Sequence, residues 1–92
     1  MSELPTKLIH PDGAVFNGIQ WKRWKEDLPY CPDFLILAAQ LGDDQIPTEY
    51  FLASEQGRAL FTSDYGQLDP DYWAATDLPV DSGIRTVEVH PA

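Results

Sequence analysis

The chain has 92 residues, 43% hydrophobic and 12% aromatic, with fifteen acidic side chains against six basic ones and a formal charge of −9. That length allows one domain spanning 1–92 rather than two independent cores, and the aromatic content excludes a disordered acidic tail. The charge repels nucleic acid and anionic membranes, so direct binding to either is not expected.

In chain order, Leu8-Ile9-His10, Pro11-Asp12-Gly13 and Ala14-Val15-Phe16 read as two short strands around a tight turn, with Gly13 able to take the positive φ that such a turn needs. His10-Pro11-Asp12 also spells the tripeptide that J-domain co-chaperones carry between two helices. Here β-like runs flank it, and a hairpin turn accounts for it. Asn17-Gly18 is a second turn signal, after which Ile19, Trp21 and Trp24 alternate with Lys22, Arg23 and Lys25 in a pattern open to strand or short helix.

Leu28-Pro29-Tyr30-Cys31-Pro32 reads as a linker, because its prolines remove backbone donors and push the residues before them out of the helical region. Phe34 to Leu41, apolar except for Gln40, reads as a buried strand that Gly42-Asp43-Asp44 ends. Glu49 to Ser54 and Arg58 to Ser63 form a hairpin around Glu55-Gln56-Gly57, a connection of the bulged type. Asp69 to Ala75 predicts one helical turn, with Asp69 as N-cap, Pro70 at the first helical position and Asp71 favourable to the dipole. Leu78-Pro79 stops it, and Arg85 to His90 alternates as a final strand with Val87 and Val89 on one face. The sum is a β-rich α+β or all-β domain: a small antiparallel sheet of five or six short strands with one short helix.

No catalytic apparatus accompanies this fold in the sequence. Lone Cys31 excludes an internal disulfide and a cysteine zinc cluster and reads as a small apolar packer, and His10 and His90 lie at opposite ends of the chain. Phosphate loops, nucleophile elbows and zinc-protease helices are absent, so neither enzyme activity, a metal nor a cofactor is expected. The chain opens without a signal-peptide pattern and carries no apolar run of about 20 residues, which predicts a cytoplasmic protein.

Charge is unevenly distributed. Residues 26 to 81 hold twelve carboxylates against Arg58 alone. Trp21-Lys22-Arg23-Trp24-Lys25 holds three of the six basic residues, a mixture on which single-stranded nucleic acid can stack. Glu26 and Asp27 follow at once, and inward tryptophans under lysine stems fit the segment better. A solvated surface accounts for acidity of this kind. The sharper expectation is that Asp43, Asp44, Asp64, Asp69, Asp71 and Asp77, several of them in turns, present negative charge to a basic cleft. Tyr65 and Tyr72 would be aromatic anchors among them, while Trp73 reads as core.

The order Trp24, Leu28-Pro29, Phe34-Leu35-Ile36-Leu37, Tyr50-Phe51, Trp73, Leu78-Pro79 is similar to short uncharacterised domains carried by phages and prophages. Those domains usually have a histidine before the later tryptophan, where Tyr72 stands here. The resemblance implies a small β-rich fold and a viral or mobile-element origin, with no known activity. The expected function is therefore that of a small acidic accessory protein, acting in the host cytoplasm, that binds and inhibits a host nucleic-acid-handling protein through its carboxylates. The alternative is a structural or assembly component that self-associates or docks on a larger particle; the oligomeric state is not fixed by the sequence.

Overall fold

A computed structural model describes residues 4–26, 33–42 and 47–92. The linker expected at 28–32 and the turn expected at Asp43-Asp44 lie outside these residues. The described part is mostly sheet, with every pairing antiparallel: β1 (Lys7–Ile9), β2 (Val15–Asn17), β3 (Lys22–Arg23), β4 (Phe34–Leu41), β5 (Pro47–Gln56), β6 (Ala59–Thr62), β7 (Gly66–Leu68), β8 (Tyr72–Pro79) and β9 (Glu88–Pro91). The main sheet runs β2-β1-β9-β5-β4-β8-β3, and β6 and β7 extend it from the end of β5. Among the described residues no helix is long and apolar enough to cross a membrane.

β4 organises the core because both of its faces are covered. Leu35, Leu37 and Ala39 project into one cluster with Leu8, Phe16, Ile19, Tyr50, Leu52 and Val89. Ile36 and Ala38, half a period away, enter a second with Trp24, Phe51, Leu60, Leu68 and Trp73. A strand buried on both sides needs a continuous apolar run, which is what Phe34 to Leu41 supplies. The first cluster joins Phe16 of β2 to Ala74 and Leu78 of β8, from strands near opposite flanks of the sheet, so the sheet curls into a half-barrel. The β6–β7 hairpin contributes Leu60 and Leu68 to the second.

Both expected hairpins form, with one change. In the first, the His10 N–H donates to Ala14 O (2.7 Å), the Gly13 N–H donates to His10 O (2.8 Å), and Gly13 sits at φ +102°. In the second, Gln56 pairs with Ala59, so the loop is the two residues Gly57 and Arg58 rather than three. Both have positive φ, 61° and 65°, as a type I′ turn requires. The buried Glu55 carboxylate accepts the Arg58 N–H (2.9 Å), which holds a non-glycine residue in this conformation.

Two expectations are corrected. Nine strands are present among the described residues rather than five or six, the additions including β3 and β7. The helical turn at Asp69 to Ala75 is also replaced, by a loop and the start of β8. Its capping signals were genuine local preferences, but long-range pairing overrides them. The Asp71 N–H donates to Ala39 O (3.0 Å), the Asp71 C=O accepts the Trp24 N–H (3.0 Å), and the Asp71 carboxylate accepts the Leu41 N–H (2.8 Å). From there Trp73 and Ala74 point into opposite core clusters, an alternation only a strand can make. The final strand is shorter than Arg85 to His90, although Val87 and Val89 are both buried as expected.

His10 is buried without exposure and fully bonded. Its Nδ1 accepts the Asp12 N–H (3.0 Å), so the ring proton sits on Nε2 and is donated to Arg85 O (2.8 Å). The tripeptide turn thus ties the first hairpin to the chain entering β9.

Candidate interaction surface

The residues selected from the sequence fall in three places. Asp64 and Tyr65 occupy the β6–β7 turn, which is anchored where the Ser63 N–H reaches Thr86 O (2.6 Å) and the Tyr65 N–H reaches Thr62 Oγ1 (2.9 Å). Tyr65 is 58% exposed, yet its ring meets Phe51 edge-on at 5.2 Å, so it is displayed and oriented at once. Asp69, Asp71 and Tyr72 gather where the chain enters β8. Asp71 serves the fold through Leu41, and Tyr72 is half-buried against the core beneath the Arg23 guanidinium, 6.0 Å from its ring centre. Asp77 is exposed six residues along β8 from Asp71, a separation of about 20 Å for extended chain. Asp43 and Asp44 lie outside the described residues. Single-site convergence of the carboxylates is therefore not the arrangement among the described residues.

The surface charge is nonetheless lopsided. Eleven of the fifteen acidic residues are described, and nine of these are exposed. Among the cations, Lys22 Nζ lies 5.2 Å over the Trp73 ring, Arg23 lies over Tyr72 and 3.9 Å from Glu26, and Arg85 is 3.9 Å from Asp12. Such exposed contacts stabilise the fold little, and the two ion pairs engage Glu26 and Asp12 as well as the cations, so the excess of negative charge rests on the remaining carboxylates.

Two concavities accompany this charge. One, of about 270 Å³, lies at the start of β8 among Arg23, Lys25, Glu26, Leu41, Pro70 and Tyr72. The other, of about 300 Å³, is a notch between β2 and the far half of β8. Phe16, Ile19, Leu37 and Leu78 give it an apolar lining continuous with the first core cluster, and Asn17 and Asp77 give it polar groups. A local irregularity accompanies it: Ile36 pairs with Ala75 but Phe34 with Pro79, so four steps along β8 face two along β4. A bulge of this kind bends its strand and re-aims its edge. Thr76 Oγ1 fixes the bend by donating to Leu35 O (2.7 Å).

Sequence reasoning had Asp77 but missed Leu78 and Asn17 as cavity residues. The signal available in the sequence was the Asn17-Gly18 turn, where Gly18 at φ +62° leads the chain out of β2; Leu78, read as part of a stop to a helical turn, carried none. Among the described residues no group of three or more His, Cys, Asp or Glu side chains could hold a metal ion. No protein-family model, curated protein or solved structure matches the chain.

Proposed function

We propose that this protein is a non-enzymatic binding module that engages, and by competing with nucleic acid inhibits, a partner protein with a basic nucleic-acid-handling surface. The observation that carries this reading is the lopsided surface charge. Nine described carboxylates are exposed against six exposed basic residues, of which Lys22, Arg23 and Arg85 lie over rings or beside acids. Asp64 stands on a turn, Asp69 in the short loop before β8 and Asp77 on β8 itself, positions whose ordering cost is met on folding, which favours association. The tryptophan and Leu-Pro pattern supports a viral or mobile-element origin, with the host cytoplasm as the place of action.

The test is capture of the partner from host extract, with salt elution and displacement by duplex DNA, comparing the wild type with an Asp64→Asn, Asp69→Asn, Asp77→Asn variant. Affinity should fall steeply with salt and about tenfold or more in the variant. Salt-insensitive capture, or full affinity in the variant, rules the reading out.

Open strand edges favour a second reading, an assembly component that pairs edge to edge. β2 pairs only with β1 among the described residues, and Ile9 and Val15 beside it are exposed. Sedimentation discriminates: a monomer at high concentration eliminates self-assembly.

A further inference from the structure

The notch between β2 and β8 combines an apolar floor with a strand edge. Its flanking strands are both hydrogen-bonded on their other sides, β2 to β1 and β8 to β4. Among the described residues β3 pairs with β8 only at Tyr72 and Trp73, which leaves Ala75 to Leu78 without a described partner strand on that edge. The side chains at this edge are sorted by the period of the strand. Ala74 and Leu78 pack on the first cluster, whereas Ala75 and Asp77 are exposed.

We infer that the notch takes up an extended segment of a partner protein, with alternating apolar and basic side chains, as an added strand on the edge of β8. A strand paired there presents successive side chains to opposite faces. One set descends onto Phe16, Ile19, Leu37 and Leu78; the other lies beside Ala75 and Asp77, where a lysine or arginine meets the carboxylate. The volume of about 300 Å³ suits side chains rather than a folded element. Charge selects the occupant: a second copy, itself carrying a net −9, is repelled overall, whereas a basic segment is attracted by the chain and by Asp77 at the rim. The inference rests on the proposed binding of a basic partner and specifies where one of its segments docks.

The probe is a short peptide alternating lysine with valine or isoleucine, beside a control of the same composition with the lysines grouped. Binding is followed by amide NMR shifts on the wild type, Ala75→Trp, which sets a bulky ring against the edge where the added strand would pair, and Asp77→Lys, which reverses the charge at the rim. The expected result is shifts confined to Asn17, Gly18 and residues 75–78, tighter binding of the alternating peptide, and a loss of about tenfold or more in each variant with the thermal midpoint unchanged. Shifts centred elsewhere, equal binding of the grouped control, or undiminished binding in Ala75→Trp would overturn the inference. So would a dimer in sedimentation that Ala75→Trp dissolves, since a second copy would then fill the notch. Salt-sensitive partner capture that survives in Ala75→Trp overturns the notch alone and leaves the acidic-module reading standing. Salt-insensitive capture removes that reading and this one together.

Discussion

Along β8, Tyr72 and Trp73 are paired with β3 on one side and β4 on the other, whereas from Ala75 to Pro79 the described pairing is with β4 alone and slips by two residues. The first half has an aromatic ring on each face: Tyr72 on the first cluster beneath Arg23, and Trp73 in the second beneath Lys22. The second half alternates exposed and half-buried residues beside an open cavity. One strand thus serves the core where it is paired on both sides and borders a cavity where, among the described residues, it is paired on one side only. What separates the halves is pairing, since apolar residues occur in both.

Truncation should separate them most sharply. Trp73 is 4% exposed, and Trp73→Ala should cost about 3 to 5 kcal/mol, a large share of a small domain's margin, read as a fall in the urea midpoint. Leu78→Ala, half-buried at a cavity that already exists, should cost about 1 to 2 kcal/mol. Equal losses would erase the distinction between the halves. At the entrance to β8, Asp71→Ala removes the acceptor of the Leu41 N–H and should cost about 1 kcal/mol in the same titration.

A pH measurement sharpens the enclosed half. Tyr50 faces Ala39 from β5 as Tyr72 does from β8, and burial raises its phenol above its ordinary value of 10.0. The folded state holds that proton more tightly than the unfolded chain, so its stabilising effect is complete below about pH 10 and is lost as pH rises through the raised value. Alkaline unfolding should show this loss, and Tyr50→Phe should flatten it. The smallest effect belongs to the open half: Asp77→Ala should change stability by less than about 0.5 kcal/mol, because exposed Asp77 stands at the cavity rather than in either core cluster.

Much of this architecture was legible because its signals are local. The Phe34 to Leu41 run declared a strand covered on both faces, and Gly13 declared a turn. The position of Arg58 was less legible, since its positive φ depends on the buried Glu55 carboxylate. For the candidate surface, residue type gave exposure correctly for Asp64, Tyr65, Asp69 and Asp77. It did not reveal that Asp71 caps a backbone donor on β4, or that Asp77 borders a cavity with Leu78 and Asn17.

By itself the sequence determined an acidic, antiparallel β domain, its two hairpins and its central buried strand, because alternation, turn chemistry and charge act over a few neighbouring residues. Only the tertiary structure decided that Asp69 to Ala75 leads into a strand instead of a helix, and that the far half of β8 bulges beside a cavity. Both depend on partners in β3 and β4, more than thirty residues away along the chain, whose hydrogen bonds and apolar faces outweigh the local preference for a helical turn.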